Sequence, residues 1–237
     1  MGRRGYLYRY RFPLEVMRFA VILNVFLPSR FVVVLVFALF RAKVSHKTIC
    51  DWSNKFNKYN GENSFDYSGI KHLICHVDEK FIKIAGKRAY WWTLKDFLGN
   101  IIHAIISMSR DLISAKLLFK NARIKTGRDV DLLVRDGCFS YEKATKCLGR
   151  KCKTLITGIR GKGVIYKKNF YWLTNNPAES VNSEIDTFLA RFQYTFASLE
   201  SAERHKNKFL LQKRLKKNFS EKKFLEASST LEQAFMI

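Results

Sequence analysis

The chain of 237 residues lacks any Cys-x-x-Cys pair, and its five cysteines, Cys50, Cys75, Cys138, Cys147 and Cys152, are odd in number and scattered. Neither a disulfide framework nor a zinc ribbon is indicated, so reduced structural thiols are expected. The histidines are equally dispersed, and Cys75-His76 beside Asp78 is only a slight metal signal. Long apolar runs are missing too. Residues 13–40 are rich in Phe, Val and Leu, but Glu15, Arg18, Asn24, Pro28, Ser29 and Arg30 interrupt them. The longest clean block, residues 31–40, falls far short of the roughly 20 residues that cross a bilayer. A membrane span is therefore not expected, and a membrane reading would need a helix lying in the interface. Tyr6 stands where N-myristoylation needs Ser or Thr. Gly158-Ile159-Arg160-Gly161-Lys162-Gly163 lacks the Gly-Lys-Ser/Thr ending of a phosphate-binding loop, which argues against an NTP-driven enzyme. Acidic residues are scarce as well: 20 Asp and Glu stand against 43 Lys and Arg, a formal net charge of +23. That imbalance implies a polyanionic partner, nucleic acid before anionic lipid.

What is present supports a folded protein, since 47% hydrophobic residues suffice for a core in one medium domain with a small appendage. Pro13 and Pro28-Ser29 punctuate two helices, at residues 14–26 and 30–41, and Ser45 is placed to cap a third. In that third helix Ile49, Trp52 and Phe56 share one face, while Lys47, Thr48, Asp51 and Lys55 share the other. A recognition helix has this form, with an apolar side held by partners and a polar side free for a groove. Residues 58–67, with Asn60-Gly61 and few large aliphatics, read as a linker.

From Ile70 the period becomes strand-like. Residues 74–84, 88–94 and 101–107 are expected as three consecutive antiparallel strands, separated by turns at Gly86-Lys87 and Gly99-Asn100. A helix at 112–122, a buried strand at 130–134, a helix at 141–148, a short strand at 154–158 and a long helix at 178–192 follow. Residues 204–223 alternate basic side chains with Phe209, Leu210, Leu211, Leu215 and Phe219, which suits a basic amphipathic helix facing DNA, a second subunit or solvent.

Three acids stand out against the basic background: Asp78 in Val77-Asp78-Glu79, Asp136 in Val134-Arg135-Asp136-Gly137, and Glu179 in Asn175-Asn176-Pro177-Ala178-Glu179. A protein that binds an anionic phosphodiester has no electrostatic reason to add carboxylates there, unless they hold divalent cations. Alternation along a strand sends Asp78 and Glu79 to opposite faces, so only one of them can join such a site. Each acid also has a plainer reading, Asp136 as a turn aspartate and Glu179 as a charge favouring a helix N-terminus.

The order of these elements and acids resembles the RNase H-like α/β fold of polynucleotidyl transferases, a mixed sheet with flanking helices, here behind a small helical domain. The chain is similar to DDE-type insertion-sequence transposases of the bacterial and archaeal group that joins a helix-turn-helix to a compact catalytic domain. Val44-Ser45-His46-Lys47-Thr48-Ile49 with Trp52 and Lys55-Phe56 resembles the end of that helix-turn-helix. His76-Val77-Asp78-Glu79-Lys80, Lys83, Gly86-Lys87 and Tyr90-Trp91-Trp92 resemble the first catalytic block. Asp136-Gly137 with Tyr141-Glu142-Lys143-Ala144 resembles the second, and the phrase ending at Glu179 the third. Phe196-Ala197-Ser198-Leu199-Glu200-Ser201-Ala202 is similar to a phrase near the family's C-terminus. The 42 residues between Asp136 and Glu179 exceed the spacing common in this fold, which keeps Glu184 open as an alternative third acid.

The resemblance implies a helix-turn-helix domain over 1–60, a linker over 61–70, a catalytic domain over 71–203 and a basic helical tail over 204–237. It implies that Asp78, Asp136 and Glu179 bind two Mg²⁺ or Mn²⁺ ions, that water attacks the phosphodiester at each element end, and that the freed 3′-hydroxyl attacks target DNA. The partners are then double-stranded DNA, as terminal inverted repeats and target, and further copies of the chain in a homodimer or larger assembly. Lys47, Thr48 and Lys55 are expected to read the repeats. Arg123, Lys125, Arg128, Arg160, Lys162, Lys167 and Lys168 are expected to track phosphates. A cytoplasmic, nucleoid-associated location in a prokaryotic cell goes with this. The alternative is a copy that has lost activity and acts only as a DNA-binding protein.

Overall fold

The computed structural model describes residues 11–59, 65–157, 176–192 and 195–220. It divides into two compact units, residues 1–61 with 207–237, and residues 62–206.

In the first unit, α1 (Leu14–Phe26), α2 (Ser29–Phe40) and α3 (His46–Tyr59) are joined by short connections. Pro13 and Pro28 each stand just before a helix, and Leu27 is extended (φ −122°, ψ 152°), as the residue before a proline must be. Ser45 caps α3 as its sequence position predicts, its Oγ accepting from the Thr48 amide at 3.1 Å. Val16, Ala20, Val21, Val25, Val32, Val36, Ile49 and Trp52 form the core, with Phe12 edge-on to Trp52 at 5.5 Å. Helix α2 buries only Val32 and Val36, one turn apart, and exposes Phe31, Val34, Phe37, Leu39 and Phe40. The apolar block is thus a short surface helix, and among the described residues no helix is long and apolar enough to cross a membrane.

In the second unit, β1 (Ile74–Ile84), β2 (Lys87–Asp96) and β3 (Ile101–Ser107) form the antiparallel meander that the sequence predicts, turning at Ala85-Gly86 and Gly99. After α4 (Leu112–Thr126) come β4 (Leu132–Arg135), α5 (Phe139–Ala144), a 3₁₀ turn at Thr145–Cys147, β5 (Lys153–Ile156), α6 (Asn176–Phe192) and β6 (Thr195–Phe196). The sheet order is β3-β2-β1-β4-β5, with β4 and β5 parallel to β1 and β6 pairing with β1 at Lys83 and Ile84. Antiparallel strands first, parallel strands after a helical crossover, and helices on both faces make an RNase H-like mixed α/β sheet.

The faces are set by strand alternation. Cys75, Val77, Trp92, Leu94 and Leu133 pack with Ala115, Leu118 and Phe119 of α4. Asp78 and Lys80 bond to Asn182 and Asp186 of α6 across the opposite face. Trp91 and Trp92 are both fully buried, one on each face, so they serve as sheet packing.

Several expectations shift. Helix α4 runs a turn past residue 122 because its stop signal is Gly127, at φ 65°, with Asp111 capping the other end through the Ser114 amide at 2.8 Å. The helix expected at 141–148 ends at Ala144 and tightens into the 3₁₀ turn. Tyr67, read as linker, is buried with Leu73 and Trp92, and its hydroxyl donates to Asp96 at 3.2 Å. The basic amphipathic helix is present as α7 (Leu199–Ser220), but Leu211 and Leu215 lie in the core of the first unit instead of facing a partner or solvent. Periodicity shows that such a stripe is buried, not what buries it.

Candidate active site

Asp78 sits mid-way along β1, the central strand, and Asp136 directly follows β4. Parallel pairing of β1 with β4 brings the two segments side by side although 57 residues separate the acids in sequence. Glu179 lies in the first turn of α6, which packs on the Asp78 face of the sheet.

One Asp78 oxygen accepts from the Glu79 amide at 2.9 Å and the other from Asn182 Nδ2 at 2.8 Å. Burial pushes its carboxyl up to about 7 against the lowering effect of the Glu79 amide, and the charges of Glu79, Asp136 and Glu179 push in the same upward direction. The other two sequence-predicted acids therefore act on Asp78 in the same direction. Glu179 and Asn182 are i and i+3 on α6 and share a side. Glu184 lies about 200° around the helix from Asn182. The alternation argument also stands: Asp78 faces α6, whereas Glu79, nearly buried, accepts from the Tyr141 hydroxyl of α5 and pairs with Arg110. Burial raises Glu79 too, opposed by Tyr141 and Arg110.

Asp136 is held from two sides. Its Oδ1 accepts from the Cys138 amide at 2.9 Å, an aspartate turn, and its Oδ2 pairs with Arg110 Nη2 at 3.3 Å. Beneath the turn, the buried Arg135 donates to the Asp136 and Cys138 carbonyls at 3.0 and 3.2 Å. The turn reading of Asp136 is thus observed directly. Arg110, Arg135, Tyr141 and Asn182 carry the surroundings of the acids, and sequence reasoning assigned none of them a role. Only the three-residue spacing of Asn182 from Glu179, and Tyr141 within the second block, hinted at two of them.

Among the described residues no three His, Cys, Asp or Glu side chains are gathered closely enough to hold a metal ion. The donor set nonetheless fits a hard divalent cation, being carboxylate oxygen throughout, with Asp78 rendered hard to ionise by burial first and by its acidic neighbours next. Cys75 points into the α4 side of the core and His76 alternates away from it, so that pair joins no cluster.

The basic residues divide. Lys47 and Lys55 are exposed on α3, and Thr48 shares the cap with Ser45, their hydroxyls 2.9 Å apart. Arg123 pairs with Asp129 at 2.7 Å. Lys125 lies near His103, whose ring burial first and the charges of Lys125 and Lys206 next hold down at about 4. Arg128 bonds the Tyr67, Ile70 and Lys71 carbonyls and Asp131, so it clips the strand entrances together. Arg160, Lys162, Lys167 and Lys168 lie outside the described residues.

The sequence matches the DDE domain family over residues 72–229. No curated protein matches it. Among solved structures it is similar to a chain of the simian T-cell lymphotropic virus intasome determined by cryo-electron microscopy with PP2A regulatory subunit B56 gamma. The identity is 12% and the TM-score 0.38, over 73% of this chain and 60% of that one. The chain thus spans under two thirds of that relative's length.

Proposed function

The chain belongs to the DDE domain family of transposases, and from that premise we propose that it cleaves the ends of an insertion sequence and joins them to target DNA. The observation that carries this reading is geometric: β1 and β4 pair in parallel so that the segments of Asp78 and Asp136 run side by side, and α6, which bears Glu179, bonds to Asp78 through Asn182. Asp78, Asp136 and Glu179 are the residues that would hold Mg²⁺ or Mn²⁺, with Glu179 favoured over Glu184 by its side of α6. Bound there, such ions supply charge stabilisation to an in-line phosphoryl transfer. The protein's own share is placement. Asn182 fixes the plane of the Asp78 carboxylate, Arg135 and the Cys138 amide fix Asp136, and burial pushes the Asp78 carboxyl up to about 7, so that a cation held there would compete with a proton.

Binding is assigned to the helical unit, where Lys47 and Lys55 on α3 face outward from a core made by Ile49 and Trp52. That arrangement supports a helix-turn-helix reading of α2 and α3 and recognition of terminal repeats. A homo-oligomer able to pair two ends, and a nucleoid-associated place in a prokaryotic cytoplasm, complete the proposal.

The test is strand transfer of labelled DNA bearing the element's own ends, with Mg²⁺ or Mn²⁺, comparing the natural chain with Asp136→Asn. Joining by the natural chain, reduced at least ~10²-fold in the variant, is expected, the scale on which one electrostatic stabiliser is lost. End binding by both without joining by either would identify an inactive DNA-binding copy.

A further inference from the structure

The Arg110 guanidinium lies between two acids, pairing tightly with Glu79 Oε1 and, at 3.3 Å, with Asp136 Oδ2. Its backbone is fixed by the turn that opens α4: Ser109 Oγ donates to Asp111 Oδ2 at 2.5 Å, Asp111 caps the helix, and Ser140 Oγ donates to the Arg110 carbonyl at 3.5 Å. Glu79 in turn is anchored by the Tyr141 hydroxyl, and its side chain is only 3% exposed, against 36% for both Arg110 and Asp136. The chain Tyr141, Glu79, Arg110, Asp136 therefore runs from a buried end to a partly exposed end. At the exposed end both Asp136 oxygens are engaged, Oδ1 by the Cys138 amide and Oδ2 by Arg110.

We propose that Arg110 is a positioning residue that serves as the resident counter-ion of Asp136: it holds that carboxylate in place and must retreat onto Glu79 before a divalent cation can use Oδ2. This rests on the acid-site reading above and deepens it. Glu79, the acid that faces away from Asp78, thereby gains a purpose: it is the berth that keeps the displaced guanidinium paired. Without that carboxylate Asp136 would be the remaining acid paired with Arg110, so the guanidinium would stay on it. The sign of the effect separates this role from a structural one. Damage to a site weakens its metal, whereas removal of a competing cation strengthens it.

The experiment is Mn²⁺ binding to the full chain without DNA, read from the electron paramagnetic resonance signal of free Mn²⁺, with thermal melting to confirm folding. Arg110→Gln is expected to bind Mn²⁺ roughly tenfold tighter than the natural chain, the scale on which one opposed charge shifts a neighbouring carboxylate. Arg110→Lys, which keeps the charge, should remain close to the natural affinity, and Glu79→Gln should bind more weakly. Unchanged or weaker binding by folded Arg110→Gln overturns the proposal. Asp136→Asn distinguishes the two levels: if it binds Mn²⁺ as the natural chain does, the acid-site reading falls and this inference with it. If Asp136→Asn weakens binding while Arg110→Gln fails to tighten it, only the role given to Arg110 falls.

Discussion

At Asp78 a single carboxyl carries a pH dependence for the whole second unit. Its folded pKa of about 7 lies above the ordinary carboxylate value near ~4 that the unfolded chain would show. Between those values the folded state holds a proton that the unfolded state has lost, so stability is fully present below ~4 and falls as pH rises towards 7. Asp78→Asn removes the titration. The variant's stability relative to the natural chain, measured by urea unfolding in the absence of divalent ions, should therefore increase steadily from pH 4 to pH 7.5. A difference that stays flat across that range would place the perturbation elsewhere. Single residues were also where the sequence said least. The acids are visible because carboxylates are conspicuous in a basic chain, whereas Arg110, Arg135 and Asn182 look like any other polar residues. Their roles come from strand register and helix phase, which only the assembled sheet supplies.

Elements were more legible, for physical reasons that differ by type. Two helices of the first unit could be read from prolines that stand just ahead of them, and the third from the Ser45 cap. The meander could be read from three apolar, strand-like runs and from turn residues at Gly86 and Gly99, both at positive φ. Strand β6 could not, because two residues have no period, and its pairing with β1 is purely tertiary. The core side of α7 was hidden in the same way: a stripe of Leu and Phe does not name its partner. The cap gives the element-scale prediction. Ser45→Ala removes the acceptor for the Thr48 amide and the Oγ pairing with Thr48, and should cost about 1 kcal/mol in urea unfolding of the helical unit. Ser45→Asp, which retains an acceptor at the cap, should restore most of it.

Across the whole molecule, charge dominates. With a formal net charge of +23, association with DNA of arbitrary sequence should be strongly salt-dependent, because each phosphate neutralised releases a condensed counter-ion. Affinity for a random duplex, followed by fluorescence anisotropy, should fall on the order of 10³-fold between 50 and 200 mM salt, the loss expected for six or more phosphate contacts. A shallow slope would mean that most of the basic side chains are committed internally, as Arg128 and Arg135 are.

The central position of β1 also orders events during synthesis. As the chain leaves the ribosome, β1 can pair at once with β2, but its other edge has no partner until β4 appears, with Asp131 standing 58 positions after Leu73. At the ~5–20 residues per second of translation, that edge waits for several seconds. Helix α6, bearing Glu179 and Asn182, arrives later still. A nascent chain halted before residue 176 already carries most of its positive charge and both earlier acids, yet it lacks the helix that bears Glu179, so the three acids stand in one chain only after every strand of the β3-β2-β1-β4-β5 sheet has been made.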